Sequence, residues 1–344
     1  MFGRIVLWFY AYFWAWVLIL VASLVQRRRM SHNCGVFASG KLKVVQDQAF
    51  PPHEFFTPGR EMRCRIRHAP VSYDDDTVIQ VRSASLKFAD TDFESPLDLE
   101  MNTGKTSLFW TGRNFFEFVR HKDDKPLPYG RYYDKHPTGL AAAKDGIRKD
   151  PTSFAEMRYH SQTVQYFIGI DGVQRHVKFR LLPETDAPET GILPPEDLVN
   201  RWSEERAPGE TKNRSYLKKE YAERVARGPV KYRLQLQIHT PSPSDTDEVF
   251  NCNVEWDEAT HPWMDVAAVE IDKMLSLKDE ARAIFSLRHC PPSLGLIPSR
   301  SLDDYNSINY LRAKADIAKK ARVWRYRFGK GPADARDDGS AQDI

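Results

Sequence analysis

The stretch KYRLQLQIHT, Lys231 to Thr240, alternates without a break. Leu234, Leu236 and Ile238 fall on one side of an extended chain, and Arg233, Gln235, Gln237 and His239 on the other. A strand with one apolar and one polar face suits the wall of an antiparallel sheet or barrel. The same strand character recurs earlier. VIQVRSASLKF (Val78–Phe88) is rich in β-branched residues, and YFIGIDGVQRHVKFRLL (Tyr166–Leu182) reads as two strands around an Asp171-Gly172 turn. Helical segments interrupt them. SYLKKEYAERVARGP has Ser215 at a capping position and Gly228-Pro229 as a stop, and Asp303–Phe328 predicts one long helix, acidic at its start and basic at its end. The pattern predicts an α+β domain, with a barrel or large curved sheet first and helices later.

The N-terminus obeys a different rule. Ile5 to Val25 carries no charge, and at ~1.5 Å per residue it is long enough to cross a hydrocarbon layer of ~30 Å. Trp8, Tyr10, Tyr12, Trp14 and Trp16 crowd its first half, as in interfacial aromatic belts. Arg4 flanks one end and Arg27, Arg28 and Arg29 the other, so the heavier positive end predicts a single-pass anchor whose main domain faces the cytoplasm. The expected organisation is an anchor over residues 1–27, a barrel domain with C-terminal helices over 28–328, and a polar, disordered tail over 329–344.

Charge and cysteine spacing exclude some classes. The net charge is +3, with no basic block beyond Arg27–Arg29, so nucleic acid is not an expected partner. Cys34, Cys64, Cys252 and Cys290 lie far apart, without CxxC or Cys/His ligand spacing, and read as free thiols rather than a zinc site or disulfide framework.

Directly after the apolar run stands RRRMSHNCGVFASG, with the pattern Arg-x-x-His-x-x-Gly. It is followed in order by FPPHEFFTPGREMRCRIRHA (Phe50–Ala69), SLKFADTDFESPLDLEMNTGKTSLFW (Ser85–Trp110), GPVKYRLQLQIH (Gly228–His239), WDEATHPW (Trp256–Trp263) and PPSLGLIPSRSLDDYNSINYLR (Pro291–Arg312). Together these resemble the catalase-related allene oxide synthases, the kind found fused to lipoxygenases, from about Arg28 to about Phe328. The resemblance implies a catalase-like eight-stranded antiparallel β-barrel with surrounding helices and a haem b held between them. It implies that His32 and Asn102 stand over the haem face where a peroxide binds, that Arg29 and Arg67 pair with the propionates, and that Phe115 packs on the porphyrin. Ser31 precedes His32 where catalases usually carry valine and the allene oxide synthases threonine. A hydroxyl there can hold the imidazole by a hydrogen bond, which favours rearrangement of a hydroperoxide over dismutation of hydrogen peroxide.

The sequence departs from the family at the proximal side. The resemblance implies Arg-x-x-x-Tyr on a helix, the tyrosinate holding the iron. Here Arg312 is in place and Asp316 stands at the tyrosine's position. Aspartate is shorter by a ring, and its expected partners are Arg312 four residues back and Lys320 four ahead. Two functions from different classes follow. One is a haem enzyme converting fatty-acid hydroperoxides, supplied by a separate lipoxygenase, to an allene epoxide or related product. The other is a non-catalytic, membrane-anchored protein that binds a lipid or other ligand. A true catalase fits least, since it needs the missing tyrosine. If the apolar run is an anchor, the nearness of His32 to it places the distal segment close to the bilayer surface, where a lipid hydroperoxide could enter from the membrane.

Overall fold

A computed structural model describes residues 2–26, 29, 31–45, 49–125, 127–194 and 205–324. Arg27 and Arg28, the end of the predicted last helix at Phe328, and the tail 329–344 lie outside the described residues.

Eleven strands form the sheet: β1 Val36–Val44, β2 Glu61–Pro70, β3 Gln80–Lys87, β4 Asp98–Thr103, β5 Ile147–Arg148, β6 Tyr159–His160, β7 Gln165–Ile168, β8 Gln174–Pro183, β9 Val230–His239, β10 Met264–Met274 and β11 Leu294–Leu296. Every pairing is antiparallel, and β8 pairs with both β6 and β9. The order β8-β6-β4-β3-β2-β1-β10-β9 therefore returns to β8 and closes an eight-stranded barrel, which leaves no edges among its members. β7 continues along the same side of β8 and adds β11, while β5 pairs with β3.

Alternation fills the barrel. Ala38, Leu42, Ile66, Leu86, Leu99, Phe179, Leu181, Leu234 and Leu236 point inward to one continuous core. The opposite face of β9 is polar, as its sequence predicts, but it is also covered. Gln235 and Gln237 are buried; Gln235 Nε2 donates to Asp265 Oδ1 at 2.8 Å and Gln237 Nε2 to the His261 carbonyl at 2.7 Å. Polar side chains are tolerated there because each finds a partner.

The helices are α1 Phe2–Val17, α2 Gly112–Arg120, α3 Gly130–Lys135, α4 Pro137–Gly146, α5 Tyr216–Arg227, α6 Leu277–Arg282, α7 Ser307–Lys314 and α8 Asp316–Trp324. One sequence expectation needs correction. The long final helix begins at Ser307 instead of Asp303 and breaks at Ala315 into α7 and α8, so Asp316 opens a new helix rather than continuing one. The hairpin expected around Asp171-Gly172 is present: β7 and β8 pair antiparallel across a five-residue connection, Gly169 to Val173. Gly172 takes φ +72, and Asp171 Oδ1 accepts from Val173 N–H at 3.0 Å.

Helix α1 runs on into a π-helical segment, Leu18–Gln26. The stretch Phe2–Ala22 is long and apolar enough to cross a membrane by length and composition. It also packs on the domain. Leu7, Ala11, Ala15, Leu18, Ile19 and Ala22 are buried, with Leu18 and Ile19 against Ala318 of α8, and Trp14 meets Phe115 of α2 edge-on at 5.3 Å.

Candidate functional site

Strand register assembles the site on the outer wall of the barrel. Pairing of β1, β2, β3 and β4 aligns Phe37, Arg67, Ser85 and Glu100 in one row across the strands. A neighbouring row holds Ser83 and Asn102, and another Arg65, Lys87 and Asp98. These alternate with core residues such as Ile66, Leu86 and Met101, so they face away from the core, towards α6, α7 and α8. Small serines occupy the middle of this wall, and charged groups flank them.

His32 lies just before β1 in the left-handed region, φ 56, held by a hydrogen bond from its N–H to the Val71 carbonyl at 2.9 Å. Arg67 fixes the same turn from below. Its Nη2 donates to the carbonyls of His32 at 2.6 Å and Asn33 at 3.2 Å. The His32 side chain meets both residues singled out with it: Nδ1 lies 2.9 Å from Ser31 Oγ and Nε2 3.4 Å from Asn102 Oδ1. Asn102 Oδ1 accepts, so Nε2 carries the proton and Ser31 donates to Nδ1. Burial, with Arg67 nearby, lowers the His32 pKa to about 4, and the imidazole is neutral at ordinary pH.

The charged groups around this cluster are wired differently. Arg29 and Arg67 meet on Glu280 of α6: Arg29 Nη1 donates to Oε1 at 3.0 Å and Arg67 Nε to the same oxygen at 2.6 Å. Glu280 and Arg67 are 1% and 4% exposed, so this is a buried charge cluster. Arg312 does not pair with Asp316. Its Nη2 donates to Glu100 Oε2 at 3.0 Å, and Lys319 Nζ donates to Glu100 Oε1 at 2.7 Å. Against the cost of burial, Lys319 and Arg312 hold the Glu100 carboxyl down to about 2. Asp316 is buried instead of lying on the helix surface, and its nearby cation is Lys319, 3.5 Å away, rather than Lys320. Its Oδ2 accepts from the Ser286 hydroxyl, while Oδ1 makes no hydrogen bond among the described residues. Burial raises its pKa despite Lys319 and Ser286. Phe115 stands between Trp14 and Phe109, at 5.3 and 5.1 Å.

A porphyrin in this seam needs arginines for its propionates, an aromatic face and an axial ligand. As arranged, these residues do not fit it. Arg29 and Arg67 are engaged by Glu280, Arg312 by Glu100, Asp316 by Ser286, and Phe115 by Trp14. Glu100 is legible in the sequence once β4 is, since it shares a face with Asn102 two residues on. Glu280 carries no such local signal.

Comparison with known proteins agrees with the barrel. No family model matches the sequence. A fungal catalase superposes with TM-score 0.62 at 18% identity, covering 87% of this chain and 62% of that one. Catalase A from Saccharomyces cerevisiae gives 0.62 at 16% identity, covering 86% and 61%. These establish the fold: the chain has a catalase-like barrel with helices around it.

Sequence narrows it further. The chain is 39% identical over 289 residues to the allene oxide synthase-lipoxygenase protein of Plexaura homomalla, across 83% of this chain and 27% of that protein. It is 30% identical over 303 residues to linolenate 9R-lipoxygenase of a Nostoc species, across 83% of this chain and 37% of the relative. The chain thus spans about a third of these curated relatives and is a catalase-like protein related to allene oxide synthase.

Proposed function

We propose that this chain is a haem-free relative of the allene oxide synthases that binds a fatty-acid hydroperoxide, or a closely similar lipid, at Ser31, His32 and Asn102 without turning it over by iron chemistry. The observation that carries this reading is the internal pairing of the proximal side: Glu280 holds Arg29 and Arg67, and Glu100 holds Arg312 and Lys319. Asp316, at the position of the family's tyrosine, is bonded to Ser286.

The distal cluster supplies what a hydroperoxide needs. The 3.4 Å contact between His32 and Asn102 is long for a hydrogen bond and gives way to a ligand that bonds both. A hydroperoxide O–H donates to His32 Nε2 once the proton moves to Nδ1, and the Asn102 amide donates to a peroxide oxygen. Ser31 follows either tautomer, because a hydroxyl donates or accepts as required. The word lipoxygenase in the relatives' names supports a separate lipoxygenase as the source of the hydroperoxide.

A second reading has its own observation. The assembled Ser31–His32–Asn102 cluster is what a haem-dependent hydroperoxide rearrangement requires on its distal side. An absorption spectrum of the full chain, purified from cells supplied with haem, separates the two. The haem-free reading expects no stoichiometric Soret band, together with saturable binding of a fatty-acid hydroperoxide that Asn102→Ala weakens. A stoichiometric band with hydroperoxide turnover establishes the enzyme reading instead. The finer test is Asp316→Tyr, alone and with Glu100→Ala and Glu280→Ala. Haem uptake is expected only when the glutamates are removed as well.

A further inference from the structure

The N-terminal helix carries two opposite stripes. One is Leu7, Ala11, Ala15, Leu18 and Ala22, buried on the domain. At its C-terminal end Leu18 and Ile19 meet Ala318 of α8. The other stripe is Phe2, Ile5, Phe9, Phe13, Trp16 and Leu20, again spaced by three and four residues, and every member is more than half exposed. From Phe2 to Trp16 it runs roughly 21 Å at ~1.5 Å per residue. Soluble monomers rarely leave a contiguous apolar ridge of that length in water, so something covers it.

We infer that the ridge is a membrane-contact surface: the helix lies in the plane of a bilayer containing anionic lipid, with its alanine stripe kept on the domain. The flanking residues fit this occupant. Trp8 and Tyr10 are exposed beside the ridge, and tryptophan and tyrosine favour the headgroup level. Arg4 is exposed near the helix start. On α8, packed against the π-helical segment, Ile317, Lys320 and Trp324 are exposed at helical spacing, a lysine between two large apolar side chains. Cations reaching out from an apolar face are what an anionic lipid surface attracts.

The docked side argues against crossing. A spanning helix turns its whole circumference to lipid or to other membrane segments. Here that requires lifting Leu7, Ala11 and Ala15 off the domain, parting Trp14 from Phe115 and Tyr10 from Phe116, and moving Tyr12 away from the Lys314 ammonium, 5.0 Å from its ring. An in-plane helix keeps all of these contacts and covers only the stripe that the domain leaves open.

The test is flotation of the full chain with vesicles of phosphatidylcholine plus phosphatidylserine, and with phosphatidylcholine alone. The expected result is binding that strengthens with phosphatidylserine and is released by alkaline carbonate. Phe9→Ser combined with Phe13→Ser is expected to weaken vesicle affinity by roughly tenfold or more, since each serine removes a large apolar side chain from the contact. The melting temperature of the unbound variant checks that the domain still folds, because neither side chain is held by it. Resistance to alkaline carbonate overturns the proposal in favour of a crossing helix. Absence of vesicle binding, with a dimer in solution that the serines dissociate, overturns it in favour of a second copy of this chain. Unchanged affinity in the serine variant removes the ridge from the contact altogether.

Discussion

The two sides of the seam between barrel wall and helices start from the same strands, yet they are completed differently. On the His32 side, neutral groups meet through bonds that a ligand can exchange: a hydroxyl, an imidazole and an amide, the last contact at 3.4 Å. On the Asp316 side, charges meet charges at 2.6 to 3.0 Å, and the carboxylates come from the chain itself. On the proposed reading, the difference teaches that a family pocket is not retained or lost as a unit: elements before β1 and in β4 would keep the neutral cluster, while carboxylates from β4 and α6 take up the arginines.

The sharpest way to break this contrast is Glu280→Ala. It removes the carboxylate from a buried cluster and leaves Arg67 as an uncompensated charge, so a loss of about 3–5 kcal/mol is expected in urea unfolding. A loss near zero would mean that Glu280 is not what holds the proximal side.

His32 and Asp316 answer pH with opposite signs. His32 has a folded pKa depressed to about 4, below its ordinary value of about 6.5, so its contribution is fully present above that ordinary value and is lost as pH falls through the window between them. His32→Gln is expected to flatten this acid limb by about 2 kcal/mol, read from melting temperature against pH. Glu100 adds a loss at lower pH, beginning below the ordinary carboxylate value. Asp316 has a raised folded pKa and therefore costs stability as pH rises through its ordinary value. Asp316→Asn keeps an acceptor for Ser286 and should gain stability at neutral pH, and less in acid. An equal gain at both pH values would remove ionisation as the cause.

The smallest effect is expected for Ser31→Val. Removing one exposed hydrogen bond should change stability by less than about 1 kcal/mol. It should nevertheless shift the tautomer balance of His32, visible in the nitrogen chemical shifts of its ring. An unchanged ring spectrum would show that Ser31 does not set the tautomer.

Much of the barrel was readable in advance because strand periodicity is local. The alternation of Lys231–Thr240 predicted β9 and its inward leucines, and the Val78–Phe88 run contains β3. What periodicity does not report is what covers the polar face. Gln235 and Gln237 are buried under residues around His261 and Asp265, which only the closed chain brings there. The juxtaposition of Ser31, His32 and Asn102 was reachable through family resemblance. The pairing of Arg67 with Glu280, 213 residues apart, was not, because no local pattern encodes it. Helix spacing misled at Asp316 for a related reason. An i,i+4 partner is favoured only while no better-placed carboxylate competes, and Glu100 on the barrel wall wins Arg312.

The guanidinium of Arg67 touches the Glu280 carboxylate with one edge and the backbone carbonyls of His32 and Asn33 with another. Two recognition events therefore share one lever arm. If seating α6 changes the affinity of the His32 turn for its guest, then a guest at that turn changes the seating of α6 by the same free energy. Reciprocity of this kind needs no iron and no moving lid. Under that condition the short helix α6 would report, by amide exchange or a label, on a guest held at the His32 turn.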